Sequence, residues 1–98
     1  MSDLDAVIHS AARLRITATL AALDVGESIS FPRLQELLEM TAGNLTTHLR
    51  RLEDANYVSV EKTHRGRIPA TYVALTPRGR IAFDEYRVTL RSLLGEAG

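Results

Sequence analysis

The sequence predicts an α+β fold, mainly helical, in which two short helices are followed by a hairpin and then a long helix. Three observations predict it. Leucines recur at helical spacing in two adjacent short segments, Leu34/Leu37/Leu38 and Leu45/Leu49/Leu52. Next, Tyr57–Glu61 and Thr71–Leu75 read as strands flanking a polar segment around Gly66. Finally, Thr76 and Pro77 open a segment with apolar residues on two sides, which a helix must bury twice.

Residues 11–23 form the first expected helix. Ala12, Ile16, Leu20 and Leu23 repeat at its spacing, with Leu14 beside them and Ser10 as a plausible N-cap. Ahead of it, Leu4 to Ile8 reads as a short extra helix or an arm. "DVGES" breaks the pattern, Ile29 is a minimal strand and Ser30 caps the next helix. Pro32 falls in that helix's first turn, where its missing N–H does no harm. Leu34, Leu37 and Leu38 are its expected buried stripe.

Thr41 caps a helix over about 42–55, and Asn56 stands where asparagine tolerates a left-handed ending. A strand from Tyr57 to Glu61, a polar turn "KTHRGRIPA" and a returning strand Thr71–Leu75 follow. The last helix runs from Pro77 to about Leu94. Helix, minimal strand, helix, helix, strand, loop, strand, helix is the plan of a winged helix-turn-helix.

With 98 residues, one domain spanning 1–98 is expected. The net charge is zero, but the charges are segregated. Residues 1–43 carry three arginines against six acids, whereas residues 44–80 carry seven basic side chains against three acids. A local basic face attracts phosphate whatever the total charge. The absence of cysteine excludes disulfides, thiolate metal sites and cysteine nucleophiles. The acidic start does not read as a secretion signal, and no apolar run approaches a membrane span. A cytoplasmic protein is expected, with no membrane partner.

On a helical wheel, Leu49 and Leu52 lie within about 40° of Leu45 and define the core side of helix 42–55. Gly43, Thr47, Arg50 and Arg51 lie on the far side, flanked by Asn44 and Thr46. Two readings compete for this face. One is a solvated surface of weak helix formers. The other is a helix that something approaches closely. Short polar side chains let a helix enter a major groove while offering donors and acceptors to base edges. Free N–H groups at the helix start favour phosphate. In the hairpin, Lys62, Thr63, Arg65 and Arg67 cluster round Gly66. They form either a solvated tip or a wing, over about 62–69, that sets arginine in or beside a minor groove. Arg78 and Arg80 either touch phosphate or merely decorate the start of the last helix.

The stretch "NLTTHLRRLEDANYVSVEKTHRGRIPATYVALTPRGRIAF" resembles the bacterial winged-helix regulators of the MarR/ArsR type, in the small branch that is little more than the DNA-binding domain. The likeness spans about residues 8–94. It rests on Thr41, Gly43, Asn44, Leu45, His48, Leu49, Leu52, Glu53, Ala55, Tyr57, Val58, Lys62, Thr63, Arg65, Gly66, Arg67, Pro69 and Thr71. "IHSAARLRI" resembles the family's first helix. Asn56 replaces a usual glycine, and Ala11 stands where proline is frequent.

The resemblance implies a sequence-specific regulator that binds double-stranded DNA, usually as a homodimer on a near-palindromic operator. It implies recognition-helix roles for Asn44, Thr46, Thr47, His48, Arg50 and Arg51, with Arg65 and Arg67 in the wing. Thr41 and Gly43 join that helix's expected DNA-binding set, and Lys62, Thr63 and Gly66 that of the wing. A repressor acting by occlusion is expected.

The last helix carries Ala82, Phe83, Tyr86, Leu90, Leu93 and Leu94 on a broad apolar face, with Ile81 and Val88 nearly opposite. One face can pack on the chain's own first helix and the other on a second subunit, unless the domain wraps Ile81 and Val88 itself. A homodimer through residues 1–23 and 77–94 is expected, with Leu4, Ile8, Ile81, Val88, Leu90 and Leu94 as contacts. His9, His48 and His64 lie on three different elements, so no metal site and no cofactor is expected. No catalytic grouping is legible, and an enzyme is not expected. Two further readings remain: a winged helix that binds a protein partner, and a small-molecule effector in a dimer cleft lined by Leu14, Phe83 and Tyr86.

Overall fold

The computed structural model describes residues 3–95; residues 1–2 and 96–98, the ends of the expected 1–98 domain, lie outside the described residues. Four helices and three strands follow in the order α1 (Ala11–Ala21), β1 (Ile29–Ser30), α2 (Phe31–Leu38), α3 (Ala42–Asp54), β2 (Val58–Arg65), β3 (Ile68–Leu75) and α4 (Pro77–Leu93). The strands form one antiparallel sheet of order β1-β3-β2. Among the described residues, no helix is long and apolar enough to cross a membrane.

Local chemistry sets most element boundaries. The Ser30 hydroxyl accepts from the Arg33 amide at 3.3 Å, Thr41 from Asn44 at 3.1 Å and Thr76 from Gly79 at 2.9 Å. Each satisfies one donor that the first turn of a helix leaves unpaired. Asn56 is left-handed at φ 64, and so is Glu39 at φ 53. Glu39 ends α2, where the Met40 amide donates back to the Gln35 carbonyl at 3.3 Å. That ending makes the tight turn into α3. Ser10 stands at the N-cap position of α1, but its side chain makes no capping bond. The segment expected as a short extra helix or an arm is an arm folded as a turn closed by Asp5, whose Oδ1 accepts from the Val7 and Ile8 amides at 2.8 and 3.2 Å.

The core gathers Ile16, Leu20, Leu34, Leu38, Leu45, Leu49, Leu52, Val58, Val73 and Leu75. Leu45, Leu49 and Leu52 are all within 3% of full burial, so the leucine side of α3 is anchored as the spacing predicts. Two expectations need correction. Leu37 is 46% exposed; it sits about 100° round the helix from Leu38 and falls at the rim of the stripe. Ile8, expected at a dimer contact, is completely buried within its own chain. It therefore packs the arm onto the domain and has no surface to offer a second subunit.

The hairpin is longer than its apolar pattern suggested. β2 and β3 pair without interruption from Val58↔Leu75 to Arg65↔Ile68, leaving only Gly66 and Arg67 as the turn. Gly66 has φ 66 and Arg67 is not left-handed, the pattern of a type II′ turn. Pro69, in β3, pairs only with β2 at His64, because β1 reaches β3 only at Tyr72 and Val73. Its missing N–H therefore breaks no second ladder.

Candidate nucleic-acid interface

The site is built from the polar side of α3 and the tip of the β2–β3 hairpin. Burial of the three leucines turns Gly43, Asn44, Thr46, Thr47, Arg50 and Arg51 outward, and all six are exposed, as is Thr41. A Cβ added at Gly43 would meet nothing within 4 Å, so no contact inside the chain requires glycine there. Its effect is to keep the start of α3 bare. The Thr47 hydroxyl donates to the Gly43 carbonyl at 3.0 Å, which leaves its methyl and the oxygen lone pairs on the surface.

In the hairpin, Lys62, Arg65, Gly66 and Arg67 are exposed and Thr63 is half-buried. No salt bridge among the described residues involves these three cations; the two present are Arg33–Glu36 and Arg87–Asp84, both on helix surfaces. Strand alternation directs Val60 and Lys62 to the side of the hairpin that continues the core face of Val58. There a cleft is lined by Thr46, Leu49, Arg50 and Glu53 of α3, Val60 and Lys62 of β2, Thr71 of β3 and Phe31. The hydroxyl and guanidinium of the helix and the ammonium of the wing thus border one groove. Arg65 lines a neighbouring groove with Pro69, Ala70 and the start of α2 at Ser30 and Pro32. The arrangement offers a polar helix face and three free cations to a polyanion.

His48 differs from its neighbours. It is half-buried, and its Nδ1 faces Arg13 of α1, whose Nη1 lies 3.4 Å away. Arg80 also turns inward, placing Nη1 3.3 Å from the Ala21 carbonyl and Nη2 3.5 Å from that of Leu23. It therefore caps the C-terminus of α1, where a cation is favourable, and the phosphate alternative considered for it does not describe this conformation. Arg78 is exposed, and among the described residues it caps no helix end. Arg15 does a similar job at the end of α2, donating to the Leu38 carbonyl at 3.0 Å. Sequence reasoning missed the tasks of Arg13, Arg15 and Arg80. No local spacing marks an arginine that reaches a carbonyl on another helix.

On α4, Ile81, Val88 and Leu94 are 60%, 65% and 67% exposed, while Leu90 and, in the arm, Leu4 are half-buried. Tyr86 is buried, and its hydroxyl lies 3.0 Å from His9 Nδ1. The Tyr57 hydroxyl donates to Asp5 Oδ2 at 2.5 Å. That hydrogen bond, burial and the charge of Asp5 push the tyrosine up to about 12 from an ordinary 10.0, with Glu85 adding and Arg78 opposing. Among the described residues, no group of three or more histidine, aspartate or glutamate side chains could hold a metal ion.

Comparison with known proteins gives a consistent result. The family described as winged helix DNA-binding domain matches residues 12–94. An uncharacterized protein of Methanocaldococcus jannaschii is 37% identical over 81 residues, covering 82% of this chain and 84% of its own length. The transcriptional regulator homologue from Pyrococcus horikoshii OT3 superposes with a TM-score of 0.82 at 27% identity, over 91% of this chain and 85% of that one. A transcriptional regulator of the MarR family from Enterococcus faecalis V583 shares the fold, with a TM-score of 0.69 at 24% identity over 91% of this chain and 74% of its own.

Proposed function

The chain belongs to the winged helix DNA-binding domain family, and we propose that it works as a homodimeric, sequence-specific regulator of transcription. In this reading α3 enters the major groove of double-stranded DNA. The wing, residues 62–69, lies on the minor groove or backbone. Repression follows by occlusion of the operator.

One observation carries the proposal. The exposed polar side of α3 and the cationic hairpin border a common cleft, with Thr46, Arg50 and Lys62 on its walls. The bare backbone at Gly43 and the short side chains of Asn44 and Thr47 suit base edges, and Arg50, Arg51, Arg65 and Arg67 suit phosphate and groove walls. The dimer is supported by Ile81, Val88 and Leu94, which this chain leaves uncovered on α4. A two-fold pair would set two copies of α3 about 34 Å apart, one helical turn, on a near-palindromic site.

The test is titration of duplex binding against salt. A dimer neutralising about 6 phosphates loses log affinity with log salt at a slope of about −5. A flat dependence contradicts the electrostatic part of the proposal.

A further inference from the structure

His48 lies on the proposed recognition helix but faces Arg13. A guanidinium has five N–H donors and no acceptor, and it stays charged. The ring nitrogen that it faces, Nδ1 at 3.4 Å, can pair with it only as an acceptor, which requires the tautomer that leaves Nδ1 without a proton. A neutral imidazole has a single N–H, which then resides on Nε2. The contact between His9 Nδ1 and the Tyr86 hydroxyl imposes no such choice, because a hydroxyl both donates and accepts.

Arg13 is itself fixed from the other side. Its Nε donates to the Val7 carbonyl at 2.5 Å. Val7 belongs to the arm that Asp5 closes and Ile8 buries. The guanidinium therefore bridges the arm and α3, and it cannot turn away from the imidazole without releasing the arm.

We propose that Arg13 is a positioning residue for DNA recognition, acting through His48. It holds the imidazole as the Nε2–H tautomer, so that the recognition helix presents a ring N–H donor to a phosphate oxygen at the edge of the groove. The other tautomer would present a lone pair to an anion. This inference rests on α3 being the DNA-contacting helix. The spacing of α3 sets His48 between the buried leucines and the exposed Asn44 and Arg51, a position from which a backbone contact would fix the helix while the exposed side chains read bases.

The experiment has two readouts. Long-range nitrogen–proton spectra of the histidine rings, recorded on the free full-length chain at about pH 8.5, report the tautomer above the usual histidine range. His48 in the wild type shows Nδ1 unprotonated, and Arg13→Ala relaxes it to a mixture of tautomers. Duplex affinity falls about tenfold in Arg13→Ala and in His48→Ala. His48→Gln, which keeps an amide donor, stays within about threefold of wild type. The salt slope is unchanged in Arg13→Ala, because Arg13 neutralises no phosphate. The double variant Arg13→Ala/His48→Ala binds no more weakly than His48→Ala, because the two act as one unit.

A proton on Nδ1 in the wild type, an unchanged tautomer in Arg13→Ala, or fully additive losses would overturn the inference. A slope lowered by about one in Arg13→Ala would also overturn it, by placing Arg13 on a phosphate. If Arg13→Ala does not fold, the wild-type spectrum and Arg13→Lys decide, since lysine retains a donor and keeps Nδ1 bare. Because the tautomer is read without DNA, failure of the wild type to bind any duplex is a separate result, and it removes the function proposed for α3.

Discussion

The Tyr57 carbonyl occupies the space that a side chain at residue 79 would need: a Cβ built on Gly79 would lie 2.0 Å from that oxygen. The same carbonyl accepts from the Thr76 amide at 3.0 Å, and the Thr76 hydroxyl donates to the Asn56 carbonyl at 2.6 Å. The first turn of α4 is thus clamped onto the end of α3 and the base of the wing. Gly79→Ala must separate them. It is expected to cost about 3 kcal/mol of stability and ~15 °C in Tm, measured by thermal unfolding.

Gly43 gives the opposite result. Space around it is open, so Gly43→Ala leaves stability unchanged or raises it by ~0.5 kcal/mol through helix propensity. Duplex affinity falls, because the added methyl holds α3 away from the groove. Thermal unfolding and a binding isotherm on one preparation check both halves. A Gly43→Ala protein that binds as well as the wild type contradicts the close approach assigned to this turn.

Wing and helix substitutions should differ in kind. Arg65→Ala and Arg67→Ala weaken binding to every duplex and lower the salt slope by about 1 for each phosphate no longer neutralised. Asn44→Ala or Thr47→Val mainly relaxes preference among sequences, with a cost of ~1–3 kcal/mol at the affected base pair and little change in slope. Competition among duplexes at two salt concentrations separates these outcomes. If neither group of variants affects DNA, the basic face serves a protein partner instead.

Arg80→Ala tests the inward assignment of that side chain. Removing its hydrogen bonds to the Ala21 and Leu23 carbonyls is expected to cost about 1 kcal/mol of stability and leave the salt slope as it was. A slope reduced with stability intact would instead favour the phosphate alternative for Arg80.

The Tyr57–Asp5 bond predicts a pH dependence at the alkaline end. Asp5 accepts from the neutral phenol, and ionisation would set two negative charges together. The folded-state value is therefore pushed up to about 12 from an ordinary 10.0. A raised value means the contribution is full below about pH 10 and lost as pH climbs to about 12. Tyr57→Phe removes the hydrogen bond, is less stable near neutrality by about 1 kcal/mol, and lacks this part of the alkaline decline. Denaturant unfolding at several pH values from about 9 to about 12 measures it.

What was legible in the sequence was local. Ser30, Thr41 and Thr76 cap the helices they precede, and Asn56 takes the left-handed turn, because each feature needs only its immediate neighbours. The leucines of α3 gave its core side, and hence the exposed face of the candidate site. The outer half of the hairpin was not legible. Residues 62–65 and 68–70 are paired, yet both of their faces meet solvent, so no apolar alternation marks them. Interactions between distant parts of the chain left no trace either: Arg80 on the end of α1, Gly79 under Tyr57, and Arg13 on His48 join residues 57, 22 and 35 positions apart or more. Gly79 did carry one usable sign, since a glycine in a helix needs a reason.

The central claim, that paired copies of α3 read a specific DNA sequence, is tested most directly by selecting bound duplexes from a random pool with the full-length protein. The account predicts one enriched, near-palindromic motif, with half-sites centred about 10 base pairs apart and the enrichment weakened by Asn44→Ala. Recovered sequences indistinguishable from the input pool would contradict it.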